Sequence, residues 1–389
     1  MPDRILTTHV GSLVRPPRVM SYVEAIEGGV AVDSQAYDAC LREEIAKVVR
    51  QQADAGVDIV SDGEFGKLRS WSFYVLDRLT GIEERDVDAP RGAGRDQTLF
   101  PEFYAEYFPT QKLPKRGTAV AVGPIAYKGH AAVARDIALF KDALKASGAK
   151  VEGAFLPVVA PASALPGGKN EHYSNEKDYL FALAEALRTE YRTIVDSGLH
   201  VQVDDAFFPF FHEKLVPPMS EKQYRDWAQL RIDALNHALE GIPLEKSRYH
   251  ICWGSWSGPH MFDVPMKNII DILLSVNVGA YSFEAANVRH EHEWKVWKTV
   301  KLAPGKKLLP GVISHCTNLV EHPELIADRL IRYANIVGRE NVIASSDCGF
   351  AQSPFAARVH PTIMWAKLKC MAEGARLATQ ELWGKRSAA

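Results

Sequence analysis

Short hydrophobic runs alternate with longer segments of helical periodicity along the chain. The runs occupy residues 5–9, 57–61, 119–122, 154–159, 201–204, 249–252, 280–283, 308–313 and 342–345. Segments with apolar residues at helical spacing lie between them, at residues 34–55, 131–146, 176–197, 221–239, 323–337 and 355–379. Apolar strands that alternate with helices are typical of a parallel sheet covered on both faces. The pattern therefore predicts repeated βα units.

Polar side chains stand at the C-terminal end of almost every run. In a (β/α)8 barrel those ends converge around one mouth, whereas an open doubly wound sheet spreads them along a line. We therefore favour a single (β/α)8 TIM barrel over residues 1–389, with one run outside the barrel. The open sheet is the competing fold. The polar positions are Thr8, His9, Gly11, Ser12, Asp62, Glu64, Asp204, Asp205, His250, Cys252, Glu284, His315, Asp347 and Cys348.

Two charged, Gly-rich segments, residues 83–100 and 165–175, interrupt the pattern. Long loops in a compact domain are often binding loops or lids. We therefore predict irregular loops at these two places and consider them candidate lids.

Composition narrows the class of protein. Lys and Arg total 46 against 48 Asp and Glu, so the net charge of −2 gives no reason to expect nucleic acid as a partner. Five scattered cysteines do not form a disulfide framework and suit a reducing compartment. No stretch approaches the roughly 18 apolar residues of a membrane span, and no signal segment precedes the first run. We expect a cytoplasmic protein that binds neither nucleic acid nor membrane.

Four side chains at predicted strand ends are of the types that zinc selects: His250, Cys252, Glu284 and Cys348. His250 and Cys252 are two residues apart, so in a strand they share one face. The set carries three formal negative charges against the two positive charges of the ion. Such an electron-rich site is suited to activating a bound thiol for alkylation at sulfur. Ordinary buried thiols and a core histidine are the alternative interpretation of these residues.

Other candidate ligands are set aside. Residues 289–293, Arg-His-Glu-His-Glu, lie in what we expect to be the solvated first turn of a helix, where the two histidines point to different faces. Cys40, Cys316 and Cys370 are more typical of small buried residues than of ligands. These positions are left out of the predicted metal site.

Several motifs, taken in order, resemble the cobalamin-independent methionine synthase family, in particular its catalytic barrel as found in short, single-barrel members. They are Leu-Thr-Thr-His-Val-Gly-Ser-Leu at 6–13, Ile-Val-Ser-Asp-Gly-Glu-Phe at 59–65, Val-Gln-Val-Asp-Asp at 201–205, Tyr-His-Ile-Cys-Trp at 249–253, Ser-Phe-Glu at 282–284, Pro-Gly-Val-Ile-Ser-His-Cys at 310–316 and Ser-Asp-Cys-Gly at 346–349. Ordered matches over nearly the whole chain are more specific than any one motif.

The resemblance implies roles for individual residues. The four candidate ligands would bind Zn²⁺. Ser12, Glu64 and Asp204 would hold the polar end of homocysteine, since a hydroxyl donates to a carboxylate and two carboxylates accept from an ammonium. His315 resembles the proton donor of the family, a role suited to a side chain that titrates near neutrality.

The methyl donor and the exact thiol are less well defined by the resemblance. A methyl-folate or a methyl-corrinoid protein would serve in methionine biosynthesis, but residues 155–165 lack an aromatic platform for a pterin ring. The related epoxyalkane:coenzyme M transferases are the alternative, and Arg15, Lys67 or Arg69 would suit a sulfonate thiol. A zinc-stabilised binding protein without turnover is a third reading of the same residues.

Overall fold

Eight of the strands pair in parallel to form a barrel. The computed structural model describes residues 3–87, 94–111, 114, 117–164, 168–254 and 256–384. The strands are β1 (Leu6–Thr7), β2 (Ile59–Val60), β3 (Ile82–Arg85), β4 (Thr118–Ala121), β5 (Gly153–Val159), β6 (Lys169–Asn170), β7 (His200–Asp205), β8 (Ser247–Ile251), β9 (Ala280–Glu284), β10 (Lys307–Ile313) and β11 (Ile343–Ser346).

The barrel strands follow the order β1-β11-β10-β9-β8-β7-β5-β2. Hydrogen bonds between the two outermost strands close the ring. The amide of Asp58, next to β2, donates to the Thr7 carbonyl in β1 at 3.1 Å, and the Thr7 amide donates to the Asp58 carboxylate at 2.9 Å. The predicted (β/α)8 barrel is confirmed, and the open sheet is wrong.

A smaller sheet, β3-β4-β6, lies beside the barrel. It contains the run predicted at residues 119–122, so this is the one of the predicted runs that falls outside the barrel. Strands β3 and β6 and the helix Arg95–Leu99 lie in the two segments predicted as irregular loops, so that prediction is wrong at these points. Residues 88–93 and 165–167 of the same segments lie outside the described residues, and their role as lids stays a prediction.

Helices cover the outside of the barrel. The α-helices are α1 (Pro17–Glu27), α2 (Ser34–Asp54), α3 (Arg95–Leu99), α4 (Pro101–Thr110), α5 (His130–Ser147), α6 (Glu176–Asp196), α7 (Phe207–Phe210), α8 (His212–Leu215), α9 (Glu221–Leu239), α10 (Ile270–Leu274), α11 (Pro323–Val337) and α12 (Pro361–Trp383). Short 3₁₀ helices occupy Phe73–Arg78, Pro161–Ser163, Leu244–Lys246, Met266–Asn268, Glu291–Lys298 and Arg339–Asn341. None of the described helices has the length and apolar character needed to cross a bilayer.

The last helix begins later than the periodicity predicts. His360 is extended at φ −63° and ψ 143°, and its side chain accepts a hydrogen bond from the Thr362 amide, which makes it the N-cap of α12. The preceding residues form a loop in which Ala357 pairs with Ala351. This loop returns the chain to the mouth of the barrel.

A buried polar layer fills the barrel beneath its mouth. The Arg248 guanidinium donates to Gln202 Oε1 at 2.7 Å, Thr8 Oγ1 at 2.9 Å and the His9 carbonyl at 2.6 Å, and it lies 3.4 Å from the centre of the Phe155 ring. Burial lowers the pKa of Arg248 to about 9. These hydrogen bonds satisfy the buried polar groups of the layer, which lies directly beneath the mouth.

Candidate active site

Three of the predicted metal ligands meet at the barrel mouth. His250 lies in β8, Cys252 follows one residue after the end of that strand, and Cys348 follows two residues after β11. All three are buried, and their ligand atoms lie within 4.8 Å of one another. Within the described part of the chain they form the one group of three His, Cys, Asp or Glu ligand atoms this close. Spacing of two along a strand places His250 and Cys252 on the same face, as the sequence predicts.

The imidazole of His250 has one nitrogen held and one unpartnered. Nδ1 lies 3.1 Å from the hydroxyl of Ser282, whereas Nε2 has no hydrogen-bond partner among the residues described. A buried, unpaired ring nitrogen is costly, and a metal ligand commonly has its other nitrogen fixed in this way. Burial alone would lower the pKa of His250, but the adjacent Cys348 sulfur outweighs it and raises that pKa.

The two cysteines interact directly. A hydrogen bond from Cys252 holds the pKa of Cys348 well below its usual value in spite of burial, and His250 adds to the effect. The same bond, together with burial, raises the pKa of Cys252. Two sulfurs and one imidazole nitrogen suit Zn²⁺, so the residues present fit this ion.

Glu284, the fourth predicted ligand, lies at the end of β9 beside this group but outside it. Its Oε1 accepts a hydrogen bond from the Trp253 amide at 2.8 Å, and its Oε2 accepts one from Asn287 Nδ2 at 2.8 Å. The carboxylate is buried, and its charge adds to the causes that raise the pKa of Cys252. Each oxygen retains acceptor capacity beyond its one donor.

A cavity of about 220 Å³ opens directly above the sulfur atoms. It contains all three side chains that the resemblance assigns to substrate binding. The lining residues are Val10, Ser12, Glu64, Trp71, Asp204, Ala206, Phe207, Phe210, His250, Cys252, Gly254, Trp256, Cys348, Gly349, Gln352 and Arg358.

Glu64 and Asp204 bring two buried carboxyl groups to this cavity. Glu64 has a φ of +60°, uncommon for a residue other than glycine, and Lys67 Nζ lies 3.3 Å from its Oε2. Backbone strain of this kind often occurs at functional sites. Asp204 Oδ1 accepts from Gln202 Nε2 at 2.7 Å, and burial raises the pKa of Asp204 to about 7.

Asp205 and Ser12 differ in the direction of their side chains relative to the cavity. Asp205 points away from the mouth, where its carboxylate accepts from the Ser163 hydroxyl at 2.6 Å and the Tyr249 hydroxyl at 2.9 Å. Ser12 faces the cavity and packs against Gly349, at which a Cβ would lie only 2.0 Å from the serine oxygen. Glycine is therefore required after Cys348 for this close approach.

His315 follows β10 and is almost fully buried. It is not among the lining residues, and neither ring nitrogen has a hydrogen-bond partner among the residues that the structure describes. Burial lowers the pKa of His315, against the opposing effect of Cys348 and Glu284. Its role as a proton donor stays a prediction.

Sequence motifs missed several lining residues. Trp71, Phe207 and Phe210 place aromatic rings in the cavity wall, and Trp256 adds a fourth ring. These rings come from separate loops and from α7. The cavity therefore has aromatic surface even though residues 155–165 provide no aromatic platform. Arg358, from the loop before α12, was also missed because no motif surrounds it.

The segment at residues 289–293 corrects one expectation. It was predicted to be solvated, but His290 and Glu293 are buried. His290 Nδ1 lies 2.8 Å from Glu293 Oε2, His290 Nε2 lies 2.9 Å from Asp263 Oδ2, and the ring stacks on Trp253 at 4.0 Å between centroids. Solvation is wrong for His290 and Glu293, whose side chains have buried partners, whereas Arg289 and His292 are exposed as predicted. The segment stays outside the candidate metal group.

Known proteins of similar sequence and fold support this description. No family model matches the chain. It is 23% identical over 379 residues to a methionine synthase from Sulfolobus acidocaldarius, covering 97% of this chain and 93% of that protein. It is also 23% identical over 389 residues to the 2-hydroxypropyl-CoM lyase of Xanthobacter autotrophicus, covering 92% and 91%. The solved B12-independent methionine synthase from Shewanella sp. W3-18-1, in complex with selenomethionine, matches with a TM-score of 0.73 at 18% identity, covering 97% of this chain and 99% of that one.

The fold and the site together define a (β/α)8-barrel protein with a buried imidazole and two cysteines beneath its mouth. Over nearly its full length the chain is similar in sequence to methionine synthases and in fold to a B12-independent methionine synthase of known structure.

Proposed function

We propose that this chain is a cytoplasmic, zinc-dependent methyltransferase of one domain that converts homocysteine to methionine. The observation that carries the proposal is the group of His250, Cys252 and Cys348 beneath a cavity that also presents Glu64 and Asp204. The first three residues, with Glu284 as the fourth ligand, would hold the ion. When bound, zinc lowers the pKa of a substrate thiol that coordinates it.

The protein's own residues would perform the remaining tasks. Glu64 and Asp204 hold the substrate ammonium, while Ser12 donates to its carboxylate. His315 has no hydrogen-bond partner at either ring nitrogen among the described residues, so it would take up the thiol proton and return it as the methyl departs. With a methyl-folate donor the leaving nitrogen takes the proton that the thiol loses, whereas with a methyl-corrinoid donor that proton passes from His315 to solvent.

The donor in this proposal is a methyl-folate or a methyl-corrinoid protein. The rings of Trp71, Phe207, Phe210 and Trp256 favour the first of these, because a flat ring system gains from contact with aromatic side chains. They also keep water away from the sulfur, which leaves the nucleophile less solvated.

A second candidate function is alkylation of a sulfonate thiol, as in the epoxyalkane:coenzyme M transferases. The similarity to the 2-hydroxypropyl-CoM lyase favours it, and so does a cationic side chain, Arg358, in the cavity wall. Calorimetric titration of the zinc-loaded protein with homocysteine and with coenzyme M separates the two. We expect homocysteine to bind more tightly, and tighter binding of coenzyme M would favour the second function.

Glu64→Gln is expected to weaken homocysteine binding by roughly 10- to 100-fold, the usual size of a lost charge-assisted hydrogen bond. Coenzyme M has no ammonium, so its affinity should stay within about threefold or improve. Glu43→Gln, on the exposed face of α2, is the surface control. The same calorimetric titration measures all three proteins, and a larger loss for coenzyme M than for homocysteine would contradict the assignment of Glu64.

A further inference from the structure

We propose that Arg358 binds the carboxylate of the amino-acid thiol and thereby selects a zwitterionic substrate. This inference rests on the proposed function, which requires such a substrate. It adds a residue that no motif of the family resemblance contains.

Arg358 is the one Lys or Arg among the described residues that line the cavity. Its Nε donates to Gln352 Oε1 at 2.8 Å, and its backbone amide donates to the Phe350 carbonyl at 3.0 Å. The side-chain amide of Gln352 in turn donates to the backbone carbonyl of Gly349, the residue after Cys348. The backbone carbonyl of Gln352 accepts a hydrogen bond from the Trp71 amide at 2.9 Å. The guanidinium is therefore fixed relative to the sulfur atoms.

The terminal nitrogens of Arg358 are available to a ligand. No residue in the described ranges accepts a hydrogen bond from them, and no described Asp or Glu forms an ion pair with this arginine. Two other cations near the motifs are engaged, since Lys67 lies 3.3 Å from Glu64 and donates to the Pro157 carbonyl, and Arg69 pairs with Glu84 at 2.7 Å. Arg15 keeps two guanidinium nitrogens without a partner among the described residues, but it is not among the residues that line the cavity.

Charges around the cavity match a zwitterion. Strands β7 and β11 are four places apart in either direction around the eight-stranded barrel, so they lie on opposite sides. Asp204 stands at the end of β7, and the loop that carries Arg358 follows β11. An amino-acid thiol with its ammonium toward Asp204 and its carboxylate toward Arg358 would span the mouth above the sulfur atoms of Cys252 and Cys348. Guanidinium binds a carboxylate through two parallel hydrogen bonds, which a single serine hydroxyl cannot do.

The test compares homocysteine with 3-aminopropane-1-thiol, which lacks only the carboxylate. Calorimetry on the zinc-loaded protein should show that Arg358→Gln weakens homocysteine by roughly 10- to 100-fold and leaves the aminothiol within about threefold. Arg358→Lys should recover part of the affinity, because lysine restores the positive charge but not the two parallel hydrogen-bond donors. Arg376→Gln, on the exposed surface of α12, is the control and should change neither affinity. Thermal unfolding checks that each variant is folded.

An unchanged affinity of Arg358→Gln for homocysteine would overturn the inference and leave the proposed function in place. An equal loss of affinity for both thiols in a folded variant would also overturn the inference, because it would mean that Arg358 shapes the cavity rather than binds the carboxylate. Failure of the unsubstituted protein to bind homocysteine would overturn the proposed function and, with it, this inference.

Discussion

Cys252→Ser should abolish tight zinc binding and methyl transfer together. The serine hydroxyl is not ionised near neutrality and is a poor ligand for zinc compared with a thiolate. Loss of a hydrogen bond to a ligand already lowers metal affinity by roughly 10- to 100-fold, so loss of the ligand itself should lower it by more than about 100-fold. Metal analysis of the purified protein and competition with a chelator measure the change.

Cys316→Ser is the control for that variant. Cys316 is next to His315, and its sulfur lies 3.6 Å from the Ser314 hydroxyl, but it is not part of the three-residue group. The control should retain the metal. Full zinc content in Cys252→Ser, or loss of zinc from Cys316→Ser alone, would contradict the proposed ligands.

His315→Asn should reduce turnover by roughly 10²- to 10⁴-fold, the usual contribution of a positioned acid or base. Homocysteine affinity should stay nearly unchanged, because the imidazole is outside the cavity lining and the substrate head group lies against other residues. Steady-state kinetics gives the first quantity and calorimetry the second, and their separation distinguishes proton transfer from binding. Unchanged turnover would leave His315 as a packing residue.

The barrel could be predicted because its strands are buried on both faces and therefore appear as short apolar runs. The run at residues 119–122 has the same appearance, yet it pairs in the smaller sheet. An apolar run shows that a strand is buried but not which strand it pairs with. The late start of α12 has a similar cause, because the apolar spacing continues through a turn whose ends, Ala351 and Ala357, form an isolated antiparallel bridge.

The candidate ligands could be predicted because chemistry restricts them to a few residue types and two of them share a strand. Arg358 and the rings of Trp71 and Phe207 could not, since each reaches the cavity from a loop or short helix whose course depends on tertiary contacts. His290 illustrates the same limit. Its burial depends on Asp263 and Trp253, which precede it by more than twenty residues.

X-ray absorption at the zinc edge, with and without homocysteine, tests the central claim that this site activates a thiol. We expect a zinc ion with two sulfur neighbours, from Cys252 and Cys348, and with nitrogen or oxygen in the remaining positions. Homocysteine should replace one nitrogen or oxygen neighbour by a third sulfur. A spectrum that does not change on addition of saturating homocysteine would contradict the account.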